Sequence, residues 1–290
     1  MADPKITQTP ATVASPDPVA PPRRRRMKDL RKQPGFDTMA WVCLFFLYAP
    51  IVMLVVYSFN DNRSVVIWTE FSLRWYAAAF DNDGIRKATV VSLKVAAVST
   101  IFATSFATMA ALATTRVRPF KGQTLAYAVI NQPLMVPEIV TAVATLAFFG
   151  IIKQIFNING IGFLMLAHTV FCIPFAYMPI RARLEDMNLS LEQAAADLYA
   201  TPIQVFRKVT FPLMAPGIVA GGMLAFVVSL DDVIITLLVA GPGETTLPVY
   251  ILGQIRRGIT PEINAVSTVL LGLSVVLVSI FFLIGNKKRT

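Results

Sequence analysis

The chain has 290 residues, is 55% hydrophobic and 15% charged, and carries 26 Lys and Arg against 17 Asp and Glu, for a net charge of +9. A charged share so far below the roughly 25% of a soluble domain argues against a water-soluble fold, and the hydrophobicity excludes an intrinsically disordered chain. Cys43 and Cys172 each sit inside an apolar run, which excludes a disulfide-stapled domain; a lone His leaves no zinc site, and basic charge beside bilayer-length apolar runs points to a membrane rather than to nucleic acid.

Residues 1–36 read as a disordered, basic cytoplasmic tail: a Pro- and Ala-rich stretch, then seven basic residues between Arg23 and Lys32. The apolar run that follows, Met39–Phe59, is too long for a signal-peptide core, so the pair reads as an uncleaved signal anchor. Residues 37–290 are then expected to form one six-span domain. Its apolar runs are Met39–Phe59, Val90–Thr114, Leu125–Ile152, Gly162–Ile180, Ile218–Leu238 and Ala265–Ile284, each near the ~20 residues that cross a bilayer.

An even number of spans puts both termini on one side. With the N-terminus inside, the cytoplasmic segments hold eighteen Lys and Arg and the external loops seven, so the positive-inside rule orients the chain N-in, C-in. The external segment 60–87 contains Trp68, Trp75 and Tyr76, aromatics suited to the interfacial belt. The last external loop opens Gly241-Pro242-Gly243 and carries an apolar stretch, Leu247 to Ile255, too short to cross; it is expected to lie on the surface or dip part-way in.

The cytoplasmic connection 181–217 has explicit helix signals. Ser190 with Gln193 reads as a capping box that starts a helix from Leu191 to about Tyr199. Thr201, Pro202 and Gln204 repeat the pattern for a second helix through Lys208, which Pro212 and Pro216 are expected to break. The first helix offers Ala194, Ala195 and Ala196 for close approach of another backbone; the second is amphipathic, with Ile203, Phe206 and Val209 at helical spacing. Such a pair suits a docking surface, and equally a loop lying on the membrane.

The run Glu192-Gln193-Ala194-Ala195-Ala196-Asp197-Leu198-Tyr199, nine further residues, then Val209-Thr210-Phe211-Pro212 resembles the cytoplasmic loop of permease subunits of binding-protein-dependent ABC importers. The family pattern there is E-A-A-x-x-x-G, nine residues, I-x-L-P. Gln193 stands where the family has Glu, and Tyr199 where it has Gly. A Tyr takes a left-handed turn only at a cost, which leaves open how tightly the two helices fold back.

Further stretches resemble the second permease subunit of the spermidine/putrescine branch: Pro133 to Val140, Ala167 to Phe175, Ser229 to Asp232, Ala240 to Gly243 with Thr246 to Pro248, and Arg256 to Ala265. The resemblance implies an all-α, type I ABC importer permease in a bacterial inner membrane, carrying a small polar solute. A polyamine is the expected solute, with an amino-acid-like or opine-like compound as the alternative. It also implies that Glu192, Gln193, Ala194, Ala195, Asp197, Tyr199 and Pro212, within 189–212, couple to an ATPase. The chain lacks the pattern G-x-x-x-x-G-K-[ST], so no cofactor is expected on it and no catalytic residue is assigned. ATP and Mg²⁺ are expected on a separate ATPase subunit, taken as a dimer. A second permease subunit, a periplasmic solute-binding protein and membrane lipids complete the expected partners.

Three carboxylates fall inside the predicted spans: Glu138, Asp231 and Asp232, each costing roughly 2.5 to 3.5 kcal/mol at mid-depth on insertion scales. Adjacent helical residues point about 100° apart, so one of Asp231 and Asp232 can line a water-filled path while the other pairs with a neighbouring helix. Glu138 follows Pro133 and Pro137, which can kink or break its span. Either a solute-facing lining or pairing between helices accounts for these acids. His168 reads as an interhelical hydrogen-bonder, and Pro174 and Pro179 suggest a bend near Tyr177, placed with the acids on the solute path. A self-contained secondary transporter using the same acids as ion sites is the reading from another class; an intramembrane enzyme finds no nucleophile constellation.

Overall fold

A computed structural model describes residues 35–64, 67–118, 120–258 and 260–286. The expected tail, its basic run Arg23 to Lys32 and the basic residues Lys287 to Arg289 lie outside the described residues. The chain divides into two units, Met1–Pro50 and Ile51–Thr290. The division falls within α1 (Phe36–Tyr57), a helix apolar on every face whose membrane-length window buries nothing.

Among the described residues of the second unit, helices follow one another as α2 (Arg74–Asp81), α3 (Asp83–Thr115), α4 (Gln123–Met135), α5 (Glu138–Phe156), α6 (Gly162–Glu185), α7 (Ser190–Asp197), α8 (Pro202–Val205), α9 (Phe211–Asp231), α10 (Ile234–Val239), α11 (Leu247–Arg257) and α12 (Pro261–Asn286). Six helical stretches of the described chain are long and apolar enough to cross a membrane. Three of the expected spans differ in detail. The second begins earlier, because Asn82 caps α3 by accepting from Gly84 N at 2.9 Å and Ile85 N at 3.3 Å. The third is two helices: Val136 is extended ahead of Pro137, and α5 starts at Glu138. The fifth ends at Asp231, and a short helix follows the break.

The core of the bundle is the packing of α3, α6 and α9. Without a hydrophobic driving force between helices in lipid, association needs close backbone approach, and small residues provide it. On α3 the buried face includes Ala88, Ser92, Ala96, Ser99, Ala103, Ala107 and Ala111, with Ile85 and Val95 as its larger members. On α9 it includes Gly217, Gly221, Ala225 and Ser229, four residues apart. A Cβ at Gly221 would collide with the Ala176 carbonyl of α6, and one at Gly217 would meet the Arg183 stem at 2.6 Å. On the other side of α9, a Cβ at Gly222 would lie 3.3 Å from Thr104 Oγ1 of α3. The seam also carries a polar tie, Ser99 Oγ donating to the Met165 carbonyl at 2.9 Å.

The external elements are pinned to this bundle. Leu247 N, at the start of α11, donates to Ser92 Oγ of α3 at 2.7 Å. The apolar stretch after Gly243 is therefore a helix, with Leu247 and Pro248 buried. Tyr76 Oη of α2 pairs with Ser58 Oγ at 2.7 Å.

Gly221→Ala is expected to destabilise the purified chain by about 2 kcal/mol, as overpacking against rigid backbone does. Gly272→Ala, where a Cβ meets nothing within 4 Å, should leave the melting temperature unchanged or slightly raised in the same thermal unfolding experiment.

Candidate functional site

The acids gather where two helices break. Asp232 leaves the helical region (φ −62, ψ 133), and α10 begins two residues later. The first amides of α10 need acceptors at a depth where water is scarce. Asp232 supplies them: Oδ1 accepts from Ile235 N at 3.3 Å, and Oδ2 from Thr236 N at 3.0 Å and Thr236 Oγ1 at 3.2 Å. His168 of α6, wholly buried, lies against the same carboxylate, its Nε2 3.3 Å from Asp232 Oδ2 and 3.0 Å from Thr236 Oγ1. Its Nδ1 is 2.9 Å from Ser229 Oγ of α9. With the Nε2 proton aimed at the carboxylate, Nδ1 is left to the Ser229 hydroxyl. His168 is thus the interhelical hydrogen-bonder that its type suggests.

Asp232 is thus a buried helix cap that also meets His168 of the neighbouring helix. Asp231 does the opposite: it is exposed and makes no hydrogen bond or ion pair among the described residues. Glu138 stands half-buried in the first turn of α5. Tyr177 is wholly buried, its hydroxyl 2.9 Å from Thr114 Oγ1 of α3, so in this structure it packs the bundle. Among the described residues no group of three or more His, Cys, Asp or Glu is placed to hold a metal ion.

The cytoplasmic loop folds as two short helices with three departures from expectation. Ser190 is not a cap: the side chain of Asn188 accepts from Ser190 N at 3.0 Å, and the helix begins at Ser190 itself, leaving Gln193 exposed. The second capping box is present, with Thr201 Oγ1 accepting from Gln204 N at 3.4 Å and Gln204 Oε1 from Thr201 N at 2.9 Å. Pro212 and Pro216 do not break the helix. A π turn, Phe206–Thr210, precedes α9, with Phe211 N bonded to the Phe206 carbonyl. That widened turn makes room for the Pro212 ring and the amide it lacks, and the chain runs on as one helix to Asp231.

Tyr199 takes the left-handed conformation, φ +62, with its side chain 97% exposed. Ala200 N bonds to the Ala195 carbonyl at 3.2 Å and Tyr199 N to the Ala196 carbonyl at 2.9 Å, the paired bonds of a Schellman ending. The fold-back is tight in spite of the Tyr. Of the expected coupling residues, Gln193, Ala194, Asp197, Tyr199 and Pro212 are exposed and Ala195 is half-buried. Glu192 turns inward, its Oε1 3.1 Å from Arg116 Nε. Beside Tyr199, Leu198 is 81% and Ile203 78% exposed, the most exposed apolar side chains of the loop after Tyr199 itself.

Sequence reasoning missed Arg116, Thr210 and Thr236. Thr236 had a signal, four residues after Asp232 and so in reach of a cap; Gly217 and Gly221 had the small-x-x-x-small spacing. Arg116 had none, because its partner Glu192 is distant in sequence.

The family pattern described as binding-protein-dependent transport system inner membrane component matches residues 88–287. The putrescine transport system permease protein PotI of Escherichia coli K12 is 39% identical over 230 residues, covering 78% of this chain and 82% of that protein. The spermidine/putrescine transport system permease protein PotC of Escherichia coli K12 is 35% identical over 255 residues, covering 88% and 94%. Its Haemophilus influenzae namesake is 36% identical over 255 residues, covering 87% and 97%. Among solved structures, a chain of a bacterial ABC transporter that imports the acidic polysaccharide alginate shares the fold with a TM-score of 0.62, at 14% identity over 88% of this chain and 95% of that one. A chain of the MetNI methionine ABC transporter in an inward-facing form gives 0.58, at 20% identity over 69% and 94%.

The left-handed Tyr199 costs roughly 1 to 2 kcal/mol relative to a residue without a Cβ. Tyr199→Gly is expected to recover about 1 kcal/mol of it, read as slower amide hydrogen exchange across α7 and α8.

Proposed function

Since this chain belongs to the family of binding-protein-dependent transport system inner membrane components, we propose that it passes a polyamine, putrescine or spermidine, across the inner membrane as one permease subunit of an ABC importer. The observation that carries the solute class is Asp231: an exposed carboxylate without a partner at a helix break in a membrane span, next in sequence to the capped Asp232. An uncompensated charge at that depth is costly unless water or a cation reaches it. The names of the relatives supply the same chemistry, since PotI and PotC are permeases for putrescine and for spermidine/putrescine.

A passage site has to attract weakly, because tight binding stalls release. A single free carboxylate suits a di- or polycationic amine, which can hold on by one charge while the other moves on. Asp232, spent on the amides of α10 and on His168, shapes the site and does not touch solute. A second permease subunit would close the path, and an extracytoplasmic binding protein would deliver solute to its outer end. ATP and Mg²⁺ would belong to a separate ATPase. The exposed face of α7 and the turn after it, with Gln193, Ala194, Asp197, Leu198 and Tyr199, is the surface that ATPase would grip.

Asp231→Asn is expected to slow putrescine or spermidine uptake several-fold with the yield of the complex unchanged, while Asp232→Asn lowers yield or thermal stability by uncapping α10. A purified complex whose ATPase is stimulated only by a neutral or anionic solute would overturn the polyamine reading. In the same preparation, Ala195→Trp should reach the membrane normally and transport at least tenfold less per ATP hydrolysed; full transport by that variant would sink the assignment of the loop to coupling.

A further inference from the structure

No residue of α7 is buried, so apolar packing holds it only weakly to the bundle. Its firm attachment is one carboxylate. Glu192 Oε1 accepts from Arg116 Nε at 3.1 Å and from Thr210 Oγ1 at 3.1 Å. The other end of the guanidinium donates to the Leu184 carbonyl at 3.0 Å. Arg116 is the C-cap residue of α3, Leu184 lies in the last turn of α6, and Thr210 ends the π turn that leads into α9. α3 and the turn leading into α9 therefore meet α7 at a single oxygen, and α6 is tied in through the other end of the Arg116 guanidinium.

The pair is well placed to bear a load. Its side chains are 16% and 19% exposed, so solvent screens it less than a surface ion pair. Three hydrogen bonds with a charged partner fix its geometry. Beside it lies an open groove of about 330 Å³, lined among others by Leu112, Ala196, Ala200, Val205 and Phe206. Tight packing does not join α7 to α3 there. The side-chain bonds that tie α7 to the bundle converge on Glu192, while its chain connection enters from the buried Met187.

We propose that Arg116, Glu192 and Thr210 form the joint through which displacement of α7 moves the cytoplasmic ends of α3, α6 and α9 together. They are positioning residues that act inside this chain, and Glu192 is not a contact to the ATPase. This rests on the reading of the loop as the ATPase-gripped element, and it adds the route by which the grip is felt in the membrane.

The test uses the assembled transporter in proteoliposomes, with two readouts: polyamine molecules imported per ATP hydrolysed, and disulfide cross-linking of Leu198→Cys to a cysteine placed on the ATPase. Glu192→Gln and Arg116→Gln should each lower the import-to-hydrolysis ratio at least fivefold while the cross-link forms in the same yield. Arg116→Glu combined with Glu192→Arg should recover at least half of the lost ratio, which a contact to the ATPase would not. Thr210→Val, which leaves the ion pair intact, should give a smaller loss, about twofold. An unchanged ratio in the single variants overturns the joint, and so does loss of the cross-link, which would make Glu192 part of the docking face. Failure of Glu192→Gln to assemble, with Thr210→Val fully coupled, overturns it as well by reducing the pair to a folding contact. If the cross-link never forms in the otherwise unaltered transporter, the docking reading falls instead.

Discussion

The contact of α9 with α6 through Gly217 and Gly221 constrains everything around it. Where the Ala176 carbonyl occupies the space a Cβ would need, the two backbones are as near as helices come, and dispersion between them replaces the hydrophobic drive that lipid cannot supply. α3 then closes on the other side of α9 with its own row of Ala and Ser. The spacing is set by side chains that are nearly absent. Any polar group that the seam encloses is held at a fixed distance from its neighbours.

That rigidity makes the break after Asp231 tolerable. An interrupted helix in hydrocarbon exposes amides whose orphaning costs several kcal/mol each unless a partner is at hand. His168 comes from α6, Ser229 from α9, and Asp232 and Thr236 from the break itself. These four meet only because the seam fixes α6 against α9. Once Asp232 is spent on the cap, its neighbour Asp231 is left facing out with nothing to neutralise it.

The pattern of apolar runs and basic loops was sufficient to read the six spans, because bilayer thickness imposes a length and loop charge an orientation. Breaks within spans were harder. Pro137 announced one, and α5 does start beside it; nothing comparable stood at Asp232, where a carboxylate replaces the proline as the cause. Pro212 and Pro216 misled in the other direction, since a π turn can absorb a proline that an ideal helix cannot. Ser190 and Gln193 matched a capping box by spacing, but Asn188 reaches the same amide first. Tyr177 was expected on the path from the prolines beside it, and the hydroxyl of Thr114 on another helix holds it in the core. Contacts between helices far apart in sequence account for Tyr177 and Arg116, and they leave no local trace.

α7 resolves into two faces with different demands, and this explains which departures from the family pattern it can carry. Glu192 looks inward, where one of its oxygens accepts from both Arg116 and Thr210. Gln193, one residue on and about 100° around the helix, is exposed, and its side chain makes no bond among the described residues. Losing a charge there leaves the internal junction untouched and changes only what an outside partner meets. Tyr199 follows the same division. The Schellman bonds form at its backbone, where the cost of the missing glycine is met by local strain, while its ring joins Leu198 and Ile203 on the exposed side. Both departures fall on the outward face, so they are free to vary with the partner that grips the loop, whereas the inward carboxylate is held by this chain's own fold.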